Sequence, residues 1–167
     1  IRSEREFSTM LQKLPTLDVQ DDSLARRILA HWHDVLGPCD VASHPYQYFY
    51  CDRIWPADVY ARMLQLLPPH ALYRPLNIKQ WVNASGISTR DKLYLSETLD
   101  RLNEEQSDFW RQIVLALTST SFKDLVFSKL KEDVAIRLGI APDDVVSAPV
   151  YVGISLTRDI EDYYLKP

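Results

Sequence analysis

The sequence predicts an α+β fold with helices first and sheet arriving at the end, and three observations carry that prediction. Apolar residues recur at helical spacing in four separate stretches between Leu24 and Leu138. Only four of 167 residues are glycine, well below the usual share of about 7%, whereas a chain of tight β-hairpins would want more. Near the end, Val150, Val152, Ile154 and Leu156 alternate with Tyr151, Gly153, Ser155 and Thr157, which is strand periodicity. The length fits one domain or slightly more.

Taken in order, Ile1–Gln20 is a polar lead-in whose apolar residues Phe7, Met10, Leu11 and Leu14 suit one short helix. Asp21-Asp22-Ser23 supplies cap residues for an amphipathic helix through Leu24, Ile28, Leu29, Trp32, Val35 and Leu36, stopped by Gly37-Pro38. Tyr46–Ile54 alternates Tyr46, Tyr48 and Tyr50 with Gln47, Phe49 and Cys51, the pattern of a strand. Trp55-Pro56 opens a second helix, with proline in the first turn where its missing N–H costs nothing, running through Val59, Met63, Leu64, Leu66 and Leu67 to Pro68-Pro69.

Leu76–Arg90 has loop chemistry around Asn83-Ala84-Ser85-Gly86, and Lys92-Leu93-Tyr94-Leu95 reads as a short strand. Helices then follow over about Glu104–Leu117 and Phe122–Leu138, the second capped by Thr120 or Ser121 and closed by Gly139. After the Ala141–Asp144 turn come the alternating strand, a polar break over Arg158–Asp162, and a last extended piece, Tyr163-Tyr164-Leu165. No repeat, low-complexity tract or linker interrupts this order, so residues 1–22 form a lead-in and 23–167 one continuous unit. The first residue is Ile and the last, Pro167, falls inside an apparent structural unit. The chain therefore reads as a piece of a longer protein.

Charge and motif content narrow the chemistry. Nineteen Lys and Arg against 23 Asp and Glu give a net charge of −4, which removes the electrostatic footprint of a general nucleic-acid binder. No apolar run approaches the roughly 20 residues of a membrane-spanning helix, and no signal peptide is visible in Ile1–Leu17. Cys39 and Cys51 form no CxxC motif; a reduced cytoplasmic chain is the simpler reading and a single bridge the alternative. His31 and His33 diverge on a helix, so they read as partly exposed residues flanking a buried Trp32 rather than as a metal pair. His44 and His70 read as surface residues. Motifs of the HExxH, GxSxG, GxGxxG and GxxxxGK[ST] types do not occur. The acidic groups at Asp21-Asp22 and Asp143-Asp144 are explained by caps and turns as well as by cations; Asp159, Glu161 and Asp162 lie between two extended pieces, where loops carry function but hairpins also carry charge. Core packing explains Tyr46–Tyr50 better than base stacking, since Arg53 is the basic residue nearby.

Three stretches, in order, resemble the non-haem Fe(II)/2-oxoglutarate-dependent oxygenases. They are HPYQYFYCDRIWPADVYARML (44–64), RDKLYL (90–95) followed by Phe109-Trp110 and the helices to Leu138, and YVGISLTRDIEDYYLKP (151–167). In the third, Leu156, Arg158, Asp159, Tyr163 and Pro167 match the family pattern L-x-R-D-x-x-G-Y-x-x-x-P-H-x-D, with Asp162 standing where the family has glycine. The resemblance implies a helical amino-terminal part packed on the first strands of a double-stranded β-helix (jelly roll), incomplete in this chain.

The same resemblance implies a function: a dioxygenase, an oxidoreductase, that couples decarboxylation of 2-oxoglutarate to oxidation of a small-molecule or peptide substrate. The two histidines and one carboxylate that hold Fe(II), and the basic residue that clamps 2-oxoglutarate, would come after Pro167. Within this chain, Tyr151 and Ser155 would line the 2-oxoglutarate pocket, Arg158 would orient the turn leading to the iron, and Tyr163 and Tyr164 would approach the substrate mouth. Sheet packing and a salt-bridged hairpin are the alternative for all five. The 167 residues alone would be inactive, their last strands lacking partners from the rest of the polypeptide. The alternative functional readings are a non-catalytic α+β interaction domain and an oxygenase-like domain without iron ligands; no nucleic-acid or membrane partner is expected.

Overall fold

The computed structural model describes residues 23–76, 78, 81–83, 85–149 and 152–159. These residues are α+β, with helices around one small antiparallel sheet. The predicted helix around Phe7–Leu14, the Asp21-Asp22 cap residues and the extended piece Tyr163–Leu165 lie outside the described residues.

Helix α1 (Leu24–Leu36) begins where the cap chemistry predicts: extended Ser23 accepts a hydrogen bond on its hydroxyl from the Arg26 N–H at 3.3 Å. Ala25, Ile28, Trp32 and Leu36, spaced three or four apart, form its buried face. Helix α2 (Ala57–Gln65) starts after Pro56, and Val59 is its buried residue; Leu64 and Leu67, expected on its apolar face, are exposed.

Two tryptophans pin the segment that carries α2. Trp32, fully buried, donates its indole N–H to the Ile54 carbonyl (2.8 Å). Trp110, also buried, donates to the Leu66 carbonyl (2.7 Å). Each burial is thereby made without an orphaned indole, and α2 is held at both ends. Trp32 is further enclosed by Trp55 and Phe122, with ring centroids 5.1 and 4.5 Å away.

The sheet has the order β1 (Arg74–Pro75), β2 (Arg90–Tyr94), β3 (Ser155–Asp159), each neighbouring pair antiparallel. The predicted strand at Lys92–Leu95 therefore sits earlier, because Leu95 is fully buried at the start of helix α3 (Leu95–Thr98). The loop before β2 turns on Asn83, whose side-chain oxygen accepts from the Ser85 and Ile87 N–H groups (3.0 and 2.9 Å). Gly86 there has φ +78, a conformation that favours glycine.

Helix α4 (Glu104–Thr118) is capped by Asn103 and carries Glu104 and Glu105 in its first turn, where carboxylates favour the helix dipole. The helix predicted over Phe122–Leu138 is two helices, α5 (Thr120–Lys129) and α6 (Lys131–Leu138), interrupted at Leu130. Its cap is Ser119 rather than Thr120 or Ser121: the Ser119 hydroxyl accepts from the Phe122 N–H at 3.1 Å. Gly139 closes α6 in the left-handed conformation (φ +67). Helix α1 packs against α4 and α5, and the core gathers Ile28, Trp32, Leu36, Val59, Leu93, Leu95, Trp110, Ile113 and Val114.

Tyr46–Ile54 is not a strand. Its alternation is real at the level of side chains: Phe49 and Cys51 pack against the core, while Tyr46, Tyr48 and Tyr50 are exposed instead of packing in the core. The backbone meets only an isolated bridge between Ala42 and Tyr48. The segment is docked by side chains instead, through Gln47 onto α6. Lys129 Nζ of α5 lies 6.0 Å from the Phe49 ring centroid and donates to the Gly37 and Cys39 carbonyls just before the segment (2.9 and 2.8 Å). The late strand also differs from the expectation. It begins at Ser155 and runs through Arg158 and Asp159, which the sequence pattern assigns to a polar break.

Candidate functional site

The β2–β3 pair gathers the two predicted site residues that fall within the described structure, Ser155 and Arg158. The register sets Arg90 opposite Asp159, Asp91 opposite Arg158, Lys92 opposite Thr157, Leu93 opposite Leu156 and Tyr94 opposite Ser155. Successive side chains of a strand point to opposite faces, so the ladder sorts into two. One face carries Leu93, Leu156, Asp91 and Arg158 and meets the core, with Asp91 and Leu93 buried. The other carries Arg90, Lys92, Tyr94, Ser155, Thr157 and Asp159.

Each face holds one cross-strand ion pair. On the core side, Arg158 Nη2 donates to Asp91 Oδ2; the Asp91 side chain is 12% exposed and that of Arg158 34%. The Arg158 guanidinium also lies 5.5 Å from the Tyr73 ring centroid. Burial raises the Tyr73 phenol above its usual pKa, and the charge of Arg158 partly offsets that rise. On the polar side, Arg90 donates through Nε (2.5 Å) and Nη2 (3.0 Å) to the two carboxylate oxygens of Asp159, a two-pronged pairing. Those hydrogen bonds hold the Asp159 carboxyl below its usual range. The Arg90 guanidinium stacks 3.9 Å from the Trp81 ring centroid, and Lys92 Nζ lies 4.4 Å from that of Tyr94.

Ser155 and Arg158 are thus not brought to one point: Ser155 is half-buried on the polar face opposite Tyr94, and Arg158 is turned toward the core. Tyr151, Tyr163 and Tyr164 lie outside the described residues. Both arginines of the ladder are engaged by carboxylates. The arrangement joins two strands and fixes their register, and Asp91, Tyr73 and Trp81 are members of it that the sequence pattern does not single out. A signal for the first was present. The dipeptide Arg-Asp occurs at 90–91 and again at 158–159, and antiparallel pairing sets each arginine against the other's aspartate.

Among the described residues, no group of three or more His, Cys, Asp or Glu is placed to hold a metal ion. His31 donates from Nε2 to the Arg53 carbonyl at 3.0 Å, and Arg53 adopts a positive φ of 54. His31 thus fastens the turn beside the Trp32–Ile54 bond. No helix of the described residues is long and apolar enough to cross a membrane. Comparison with protein-family models, with curated proteins and with solved structures finds no match to this chain.

Proposed function

We propose that this chain is the amino-terminal part of a non-haem Fe(II)/2-oxoglutarate-dependent oxygenase, with β2 and β3 among the first strands of its double-stranded β-helix. One observation carries the reading. RDKLYL and the strand of YVGISLTRD, which the family resemblance singles out far apart in sequence, are hydrogen-bonded neighbours over five residue pairs. On this reading the iron ligands and the 2-oxoglutarate clamp come from beyond Pro167, and the present residues do positioning work. Ser155, with Tyr151, contributes the polar strand face beside 2-oxoglutarate. Arg158, held by Asp91, sets the direction of the chain toward Tyr163, Tyr164 and the substrate mouth.

The test begins with the coding sequence of the parent gene after Pro167, where His-x-Asp, then a second histidine and a basic residue, are expected. Thermal denaturation of the parent protein comes next, with Mn(II) and 2-oxoglutarate added singly and together. A ligand that binds only the folded state raises the melting temperature, so a rise that needs both additions is the expected result. A continuation without those ligands, and no shift, would overturn the reading.

The exposure of Tyr46, Tyr48 and Tyr50 (64%, 46% and 78%) favours a second reading, a non-catalytic domain that meets a partner protein through this aromatic segment. Tyr46 and Tyr48 stack edge to face with centroids 6.0 Å apart, which presents a preorganised amphipathic surface. In that case metal and 2-oxoglutarate leave the melting temperature unchanged.

A further inference from the structure

We propose that Cys39 and Cys51 are a redox pair that closes to an intramolecular disulfide when a hydroperoxide oxidises the protein. They are the two cysteines of the chain, twelve positions apart, and both are free thiols. The fold brings them to one acceptor. The Val35 carbonyl, in the last turn of α1, receives a hydrogen bond from Cys39 Sγ at 3.1 Å and from Cys51 Sγ at 3.7 Å. The shared acceptor places both sulfurs at the end of α1, and the disulfide forms when side-chain rotation brings them to an S–S separation of about 2 Å.

The backbone around the pair is already drawn together. Cys39 N–H bonds to the Leu36 carbonyl (3.1 Å), and Ala42 and Tyr48 exchange hydrogen bonds of 2.9 and 3.0 Å inside the loop the two cysteines bracket. Lys129 Nζ holds the Gly37 and Cys39 carbonyls. Both cysteines are half-buried, so a small oxidant reaches them. Burial, the neighbouring Cys39 thiol and the charge of Asp52 all raise the pKa of Cys51, which disfavours its thiolate as the first nucleophile.

The reaction balances with hydrogen peroxide as oxidant. The Cys39 thiolate attacks one peroxide oxygen, forming S–O as O–O breaks, and the leaving hydroxide takes a proton to become water. Cys51 then attacks the sulfenic sulfur of Cys39; S–S forms, S–O breaks, and the second hydroxide leaves as water. Two thiols have lost two protons and two electrons, and the peroxide has been reduced to two waters. The product ties the end of α1 to the segment bearing Tyr46, Tyr48 and Tyr50, fastening the base of that exposed loop.

The experiment treats the whole protein with hydrogen peroxide, quenches with an alkylating reagent, and reads intact mass and a non-reducing peptide map. The expected result is the loss of two hydrogens, no alkylation, a cross-linked peptide joining Cys39 to Cys51, and full reversal by dithiothreitol. In the Cys51→Ser variant, Cys39 should be trapped as a sulfenic acid by dimedone. Two alkylatable thiols after treatment, oxygen added to the cysteines without a cross-link, or disulfide-linked dimers would each overturn the proposal. The wild-type measurement stands alone if the variant does not fold.

Discussion

Arg158 and Asp91 form the better buried of two reciprocal ion pairs across β2 and β3, the other being Arg90 with Asp159 one step along both strands. Their unequal burial predicts unequal consequences. Removing Arg158 leaves a carboxylate only 12% exposed without its counter-charge, whereas removing Arg90 leaves one that water can reach. Arg158→Ala should therefore cost about 2 kcal/mol, and Arg90→Ala clearly less. In urea unfolding, the double variant Asp91→Ala/Arg158→Ala should lose less than the sum of its single losses. Equal losses for Arg158→Ala and Arg90→Ala would contradict this ranking.

A pH dependence arises from Asp159 and Asp58. Arg90 holds the Asp159 carboxyl low, chiefly by hydrogen bonding. Arg27, 2.7 Å from Asp58, does the same there. A carboxylate whose pKa is depressed on folding contributes stability that is full above its unfolded pKa of about 4 and is lost as pH falls through the lower folded value. The melting temperature should thus hold from pH 7 to 5 and drop below 4. The drop should be shallower in Asp159→Asn, and added salt should weaken the contribution because both carboxylates are exposed. An identical acid profile in that variant would show that the pair contributes nothing.

Helix α1 was legible because three local signals agree in it: the Ser23 cap, the spacing of Ile28, Trp32 and Leu36, and Gly37-Pro38 at its end. The failures have non-local causes. Alternation in Tyr46–Cys51 records which side chains touch the core, but a strand also needs a neighbouring backbone, and sequence does not say that this segment lacks one. At the break at Leu130, the Asp133 N–H finds its acceptor on the distant Gln47 side chain, at 3.1 Å, and nothing near Leu130 announces it. The ladder of Asp91 and Arg158 was half legible: the repeated Arg-Asp dipeptide was present, but only the observed register shows that the two copies meet.

The indole bonds give a third prediction. Trp110→Phe removes the indole donor that serves the Leu66 carbonyl and leaves a buried acceptor short of its partner; the loss should be about 2 kcal/mol. Trp32→Phe should cost more, because the indole also fills the space against Trp55 and Phe122. Both are read by circular dichroism in urea. Since each indole fixes one end of α2, cleavage by protease should begin within residues 54–66 in either variant; cleavage elsewhere would show that the two bonds do not hold that segment.

Gln47 and Asp133 supply the last prediction. Leu130 gives α6 no side-chain cap, so the first N–H groups of that helix need acceptors from elsewhere. Gln47 provides one, and the Asp133 carboxylate in turn accepts from the Gln47 N–H. Gln47→Ala removes the side-chain acceptor and should cost about 1 kcal/mol, as the loss of a helix cap does. Asp133→Asn keeps an acceptor and should cost less than Asp133→Ala. Hydrogen exchange offers the direct readout: in Gln47→Ala the amides of Glu132 and Asp133 should exchange faster, while those of α4 should not change. Unaltered exchange at Asp133 would mean that the distant glutamine does not cap α6.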